Sequence, residues 1–106
     1  MVGSIANRAA GARQFGDRTR EIPLISTKPV YGHTLGAASA INVAAGALML
    51  HHAFVAPTIG VDRKRVVGGF NHQANEGSSR LLRSGVVVSY GAGGQNAAIV
   101  MQRAKR

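Results

Sequence analysis

Apolar residues fall along this chain in three different patterns, and each predicts a different element. In residues 4–15, SIANRAAGARQF, Ile5, Ala9, Ala12 and Phe15 recur near one helical face with arginines elsewhere. That spacing predicts an amphipathic helix, capped by Ser4 and ended by the free backbone of Gly16. Residues 22–27, IPLIST, read as a short buried strand entered through Pro23. Residues 28–34 read as a loop, in which Pro29 keeps Lys28 out of helical geometry and Gly32 permits a sharp turn beside His33.

The second pattern, residues 35–52, LGAASAINVAAGALMLHH, is helical but apolar on every side. A helix with no polar face is either buried all round or lies in a membrane. Its length approaches a membrane span, and small residues four apart (Gly36 with Ala40, Ser39 with Val43) suit close helix packing. Asn42 at its middle and the lack of a second span favour a central helix held between layers.

After FVAPTIGVD, extended or loop with Pro57 opposing a central strand, residues 63–83 carry many turn formers and read as a long surface or site-lining loop. The third pattern closes the chain: GVVVSY and AAIVMQ, two continuous apolar runs joined by GAGGQN. Such runs fit strands buried on both faces, and the short glycine-rich link makes them an antiparallel pair. Helix, strand, buried helix, loop, strand and strand form a layered α/β arrangement. These few elements can scarcely enclose an all-apolar helix.

Composition narrows the chemistry. A chain of 106 residues is one small domain with a modest core, hiding about 60–65% of its unfolded surface. Hydrophobic residues at 45% exclude wholesale disorder, while only 5% aromatics and no Trp leave the core to Val, Ile, Leu and Ala. The absence of cysteine excludes disulfides, thiolate zinc sites and a cysteine nucleophile within these residues. The N-terminal stretch has no apolar signal core, and Asp17 with its neighbouring glycines speaks against a transit peptide. The net charge of +9 attracts polyanions or an acidic partner. The arginines and lysines are dispersed, apart from Arg63–Lys64–Arg65, and no nucleic-acid-binding motif accompanies them, so most read as a solvated surface.

Two stretches could carry chemistry. Lys28 and His33 stand five residues apart before the apolar helix. A lysine there can hold an anion, and the helix dipole favours a neutral imidazole, able to donate one hydrogen bond to a developing oxyanion. The plainer alternative is a loop lysine and a helix-capping histidine. In YGAGGQN, Tyr90, Gly91, Ala92, Gly93 and Gly94 are either a turn or a backbone passing close to substrate. The stretch lacks the third glycine of a dinucleotide fingerprint. His51, His52 and His72 suggest no metal, because adjacent helical histidines diverge and no suitably spaced carboxylate joins them. Asn71, His72 and Asn75 read as a hydrated loop.

Together, ISTKPVYGHTLGAASAINV and SYGAGGQNAAIVMQR resemble the C-terminal part of a β-ketoacyl-acyl-carrier-protein synthase of the thiolase-fold superfamily. The first matches the family's lysine, glycine–histidine and Gly-Ala-Ala helix. The second matches a glycine-rich turn usually written Phe-Gly-Phe-Gly-Gly-Thr-Asn, and Pro57–Thr58–Ile59 resembles the family's Pro-Thr-Ile. The likeness spans most of residues 13–103. It implies that residues 1–106 are a partial C-terminal ketosynthase domain, a portion of a thiolase-like α-β-α-β-α fold whose buried central helix is residues 36–50. It also implies decarboxylative Claisen condensation of an acyl thioester with malonyl-carrier protein, in fatty acid or polyketide synthesis. His33 would be the second catalytic histidine and Lys28 the active-site lysine, with residues 90–94 at the substrate. No metal or bound cofactor is implied; phosphopantetheine arrives on the carrier protein or coenzyme A. A cytoplasmic homodimer or heterodimer with a ketosynthase subunit is implied, with no nucleic acid and no membrane.

The departures shape the expectation. The family's nucleophilic cysteine belongs to its N-terminal half, and its first histidine, in His-Gly-Thr-Gly-Thr, would stand just before Asn7, where this chain reads VGSIAN. The glutamate that faces the lysine has no clear counterpart, the first acid being Asp17. Tyr90 replaces one phenylalanine, and Ala92 stands where a gate-like phenylalanine is expected. These residues alone are therefore expected not to condense anything. Two alternatives stay open: a non-catalytic partner resembling a chain-length factor, and a basic module docking an acidic carrier protein.

Overall fold

The computed structural model describes residues 13–65 and 71–105. Most of the helix expected over residues 4–15 lies outside them. Residues 13–15 are helical, and Gly16, at φ 54°, hands over to a 3-10 turn at Gly16–Glu21. Buried Thr19 closes that turn by donating its hydroxyl to the Gly16 carbonyl at 2.6 Å.

The strand expected at residues 22–27 is not a strand. Pro23 forms an isolated parallel bridge to Asn71, and the Leu24 N–H donates to the Asn71 carbonyl at 2.7 Å. Pro23 has no N–H to carry a ladder, so pairing stops there. The loop expected at 28–34 begins instead with a single helical turn, α1, at Lys28–Tyr31. Proline is tolerated in a first turn, where its missing N–H would be unpaired anyway. The Tyr31 and Gly32 N–H groups donate back to the Thr27 and Lys28 carbonyls at 3.2 and 2.7 Å. Gly32, at φ 76°, then makes the sharp turn its sequence predicts.

The apolar helix forms as expected: a 3-10 turn at Leu35–Ala37 leads into α2, Ala38–His52. At 1.5 Å per residue its 15 residues span about 22 Å, short of a hydrocarbon core of about 30 Å. No helix among the described residues is long and apolar enough to cross a membrane. It ends at Ala53, which adopts the left-handed conformation usually given to glycine.

Short strands β1 (Phe54–Val55) and β2 (Ser78–Ser79) pair antiparallel beyond it. The loop between them is pinned at Thr58, which bridges Ala74, and by Asn75, whose amide both accepts from and donates to the Val61 backbone at 3.0 and 2.8 Å. Strands β3 (Ser84–Tyr90) and β4 (Asn96–Gln102) form the predicted hairpin, in register from Ser84↔Gln102 to Tyr90↔Asn96.

The hairpin lies on α2. Ser39 at the start of the helix hydrogen-bonds Ser89 near the end of β3, and Gly46 sits under Val87 and Met101. The helix therefore runs antiparallel to β3. Both-face burial does not hold: Val86 and Val88, on the face away from the helix, are exposed, as is Val100 opposite Val86. Among the described residues only Leu50 and Val55 are buried apolar side chains, and Leu48 of the all-apolar helix is 59% exposed. The helix is covered along one flank, as the scarcity of covering elements predicts.

Candidate functional site

Antiparallel packing of α2 on β3 brings the two chemical motifs to one end of the molecule. Whatever precedes the helix and whatever follows β3 lie at the same end. Lys28 and His33 precede the helix, and the turn at residues 91–95 follows β3. The Ser39–Ser89 hydroxyl pair, 2.8 Å apart, locks that end together.

Lys28 is the first residue of α1 and is exposed. Its backbone is held closely. The Lys28 N–H donates to Ser26 Oγ at 3.4 Å, and the Ser26 N–H donates to Thr58 Oγ1 at 3.0 Å. Thr27 donates its hydroxyl to Asn42 Oδ1 on α2 at 2.7 Å.

His33 is exposed too, but one ring nitrogen is committed. The Leu35 N–H donates to His33 Nδ1 at 3.3 Å. A nitrogen that accepts cannot carry the proton in the neutral ring, so the neutral tautomer is Nε2–H. Leu35 reaches this bond at φ 50°, a left-handed conformation that bulky side chains avoid. Holding a leucine there costs on the order of 1–2 kcal/mol. Its side chain is 76% exposed, so within this chain no burial of that side chain compensates. The result is an imidazole presenting one N–H donor.

In the glycine turn, the Gly91 N–H donates to the Gln95 carbonyl at 2.7 Å and the Gly94 N–H to the Gly91 carbonyl at 3.3 Å. Gly93 and Gly94 have φ of 100° and 86°, so a side chain at either would be strained. The amides of Ala92 and Gly93 take no part in these two bonds. Tyr90 is half exposed beside the turn.

The other polar candidates behave as framework. Asn71 and Asn75 hold their own loop together, and His72 Nε2 is buried without a partner. The adjacent His51 and His52 rings meet edge to face, centroids 4.8 Å apart, rather than diverging. No group of three metal-binding side chains occurs among the described residues. A cleft of about 440 Å³ opens at the opposite end of the molecule, between Leu50 and His51 of α2 and the residues around Arg103, away from Lys28 and His33.

Sequence reasoning missed Thr27, Leu35, Thr58 and Ser89 as site-forming residues. It noted Ser39 only as a small residue suited to packing and Asn42 only as a polar interruption of an apolar helix. That interruption was the available signal, since a lone amide in such a helix needs a partner.

Residues 4–62 match the family profile described as Beta-ketoacyl synthase, C-terminal domain. The chain belongs to the β-ketoacyl synthase family. It is 36% identical over 105 residues to 3-oxoacyl-[acyl-carrier-protein] synthase 1 of Escherichia coli K12, covering 98% of this chain and 25% of that protein. It is 34% identical over 97 residues to the actinorhodin polyketide putative beta-ketoacyl synthase 1 of Streptomyces coelicolor, covering 92% of this chain and 21% of that protein. Among solved structures it resembles a chain from a type II polyketide synthase acyl-carrier protein in complex with its ketosynthase bound to the hexaketide. That match has a TM-score of 0.89 and 29% identity over 94% of this chain and 24% of the other. The layered thiolase-like class read from the sequence is thus the fold of this family member. The chain spans about a quarter of the β-ketoacyl synthases it matches.

Proposed function

We propose that this chain is the C-terminal part of a ketosynthase domain that performs decarboxylative Claisen condensation in fatty acid or polyketide synthesis. The observation that carries the reading is the Leu35–His33 bond. It fixes a histidine as an Nε2–H donor just past the turn that begins at Lys28, and at the same end as the glycine turn.

In this reaction a malonyl thioester loses its carboxylate as CO₂. The electron pair of the broken bond remains as an enolate, with its charge on the thioester oxygen. Its carbon then attacks an acyl thioester and expels the thiolate. His33 Nε2–H donates to the oxygen on which charge collects, a contact worth on the order of 3 kcal/mol in a dry site. Lys28 supplies positive charge beside it, and Tyr90, Gly91, Ala92, Gly93 and Gly94 line the approach. The acyl-bearing thiol is supplied from outside these residues, which contain no cysteine. Substrates arrive on an acyl carrier protein, whose acidic surface suits a chain of net charge +9. The working unit is a dimer with a ketosynthase subunit, in the cytoplasm.

A second reading, a non-catalytic partner subunit, is favoured by Ala92 in the turn, where the family's gate residue is aromatic. Substituting this chain for the matching quarter of the Escherichia coli relative separates them. Malonyl decarboxylation by the chimera, lost on His33→Ala, supports the catalytic reading; an inactive but folded chimera supports the partner. Turnover by the isolated 106 residues would sink both.

A further inference from the structure

Thr27 occupies the N-cap of α1, where a threonine normally turns its hydroxyl onto the backbone N–H groups of the first turn. Here it makes no such bond. The hydroxyl points away and donates to Asn42 Oδ1 at 2.7 Å, across a separation of 15 residues. Asn42 is itself out of place: between Ser39 and His51 it is the lone amide or hydroxyl side chain of an apolar helix. Two residues have each departed from local preference to meet one another.

What the bond holds is the backbone that begins Lys28. The Thr27 carbonyl accepts from the Val30 and Tyr31 N–H groups at 3.0 and 3.2 Å, so anchoring Thr27 anchors the whole of α1. We propose that Asn42 is a positioning residue, which fixes the Lys28 turn to the central helix through Thr27 and so sets Lys28 relative to His33. The importance given to Lys28 rests on the ketosynthase reading; the clasp itself does not. A second tether, the Ser26 N–H to Thr58 Oγ1 at 3.0 Å, keeps the segment on the molecule when the clasp is removed. Loss of the clasp therefore loosens the turn without releasing it.

Backbone hydrogen exchange on the full chain tests this. Asn42→Leu and Thr27→Val each remove one partner at similar volume, and Thr27→Ser keeps the hydroxyl. In both disruptive variants exchange at Val30, Tyr31 and Gly32 accelerates about five- to tenfold, while Val87, Ser89 and Ile99 in the β3–β4 ladder keep their rates. Thr27→Ser behaves as wild type, and the double variant is no worse than either single one. Unchanged rates at 30–32 would overturn the proposal, as would equal acceleration in the ladder, which marks general destabilisation. Should Asn42→Leu fail to fold, Thr27→Val with its serine control decides alone. Malonyl decarboxylation by the chimera, measured in parallel, bears on the ketosynthase reading: an inactive wild type would refute that reading while the exchange result still decides the clasp.

Discussion

Ser39 and Ser89, fifty residues apart in sequence, place their hydroxyls 2.8 Å from each other where α2 begins and β3 ends. Small side chains at this contact let helix and strand approach closely, and the bond ties the helix that follows His33 to the strand that leads into the glycine turn. Replacing either serine by alanine strands the other half-buried hydroxyl and costs about 1 kcal/mol in urea unfolding. The double alanine variant costs less than the sum of the two, because both remove one shared bond.

Nitrogen NMR of the imidazole checks the tautomer of His33. In the neutral ring, Nδ1 gives the signal of an unprotonated nitrogen and Nε2 that of a protonated one. Leu35→Gly retains this signature, since the bond uses the backbone N–H, and raises stability by up to about 1 kcal/mol as left-handed strain is relieved.

Two glycines provide a contrast in how a neighbour yields. A methyl at Gly46 would stand 2.5 Å from the end of the flexible Met101 side chain, which can swing aside. Alanine also favours the helix by about 1 kcal/mol, so Gly46→Ala changes stability by less than about 1 kcal/mol. A methyl at Gly77 would strike the Phe54 ring and stand 3.0 Å from the Val55 carbonyl, a backbone atom that cannot rotate away. Gly77→Ala therefore costs about 1–3 kcal/mol. Paired denaturant curves give the order.

Binding to an acidic carrier protein should weaken sharply as salt rises from about 50 to about 200 mM, because the attraction is between exposed charges. Surface plasmon resonance against a carrier protein and a duplex DNA of equal length distinguishes carrier docking from general polyanion binding. Comparable affinity for the DNA would refute carrier specificity.

The long helix and the hairpin were legible because both patterns run far enough to show a period or a register. The helical turn at Lys28–Tyr31 was not. Lys28–Pro29 read locally as a helix breaker, and the bond that stabilises the turn comes from Asn42, outside any local window. Leu35 and Ala53 adopt positive φ with no glycine to announce it. The strand expected at IPLIST failed for the complementary reason: strand-like residues without a continuing neighbour give an extended segment and one bridge. Lys28, His33 and the glycine turn stood out as candidates by residue type, and a resemblance to a family suggested their roles; what holds them in place was written in pairs of residues too distant to be read from spacing.

Among the described residues, the β3–β4 hairpin pairs only with itself. Each strand therefore presents one long margin of backbone donors and acceptors beside Val86, Val88 and Val100, which are solvent-facing. Positive charge keeps copies apart in dilute buffer, but salt screens it and leaves the margins free to find one another. The salt expected to weaken docking to an acidic carrier protein is thus also the salt expected to promote self-association. Purification and assay belong at low ionic strength, and light scattering should rise with added salt before any secondary structure is lost.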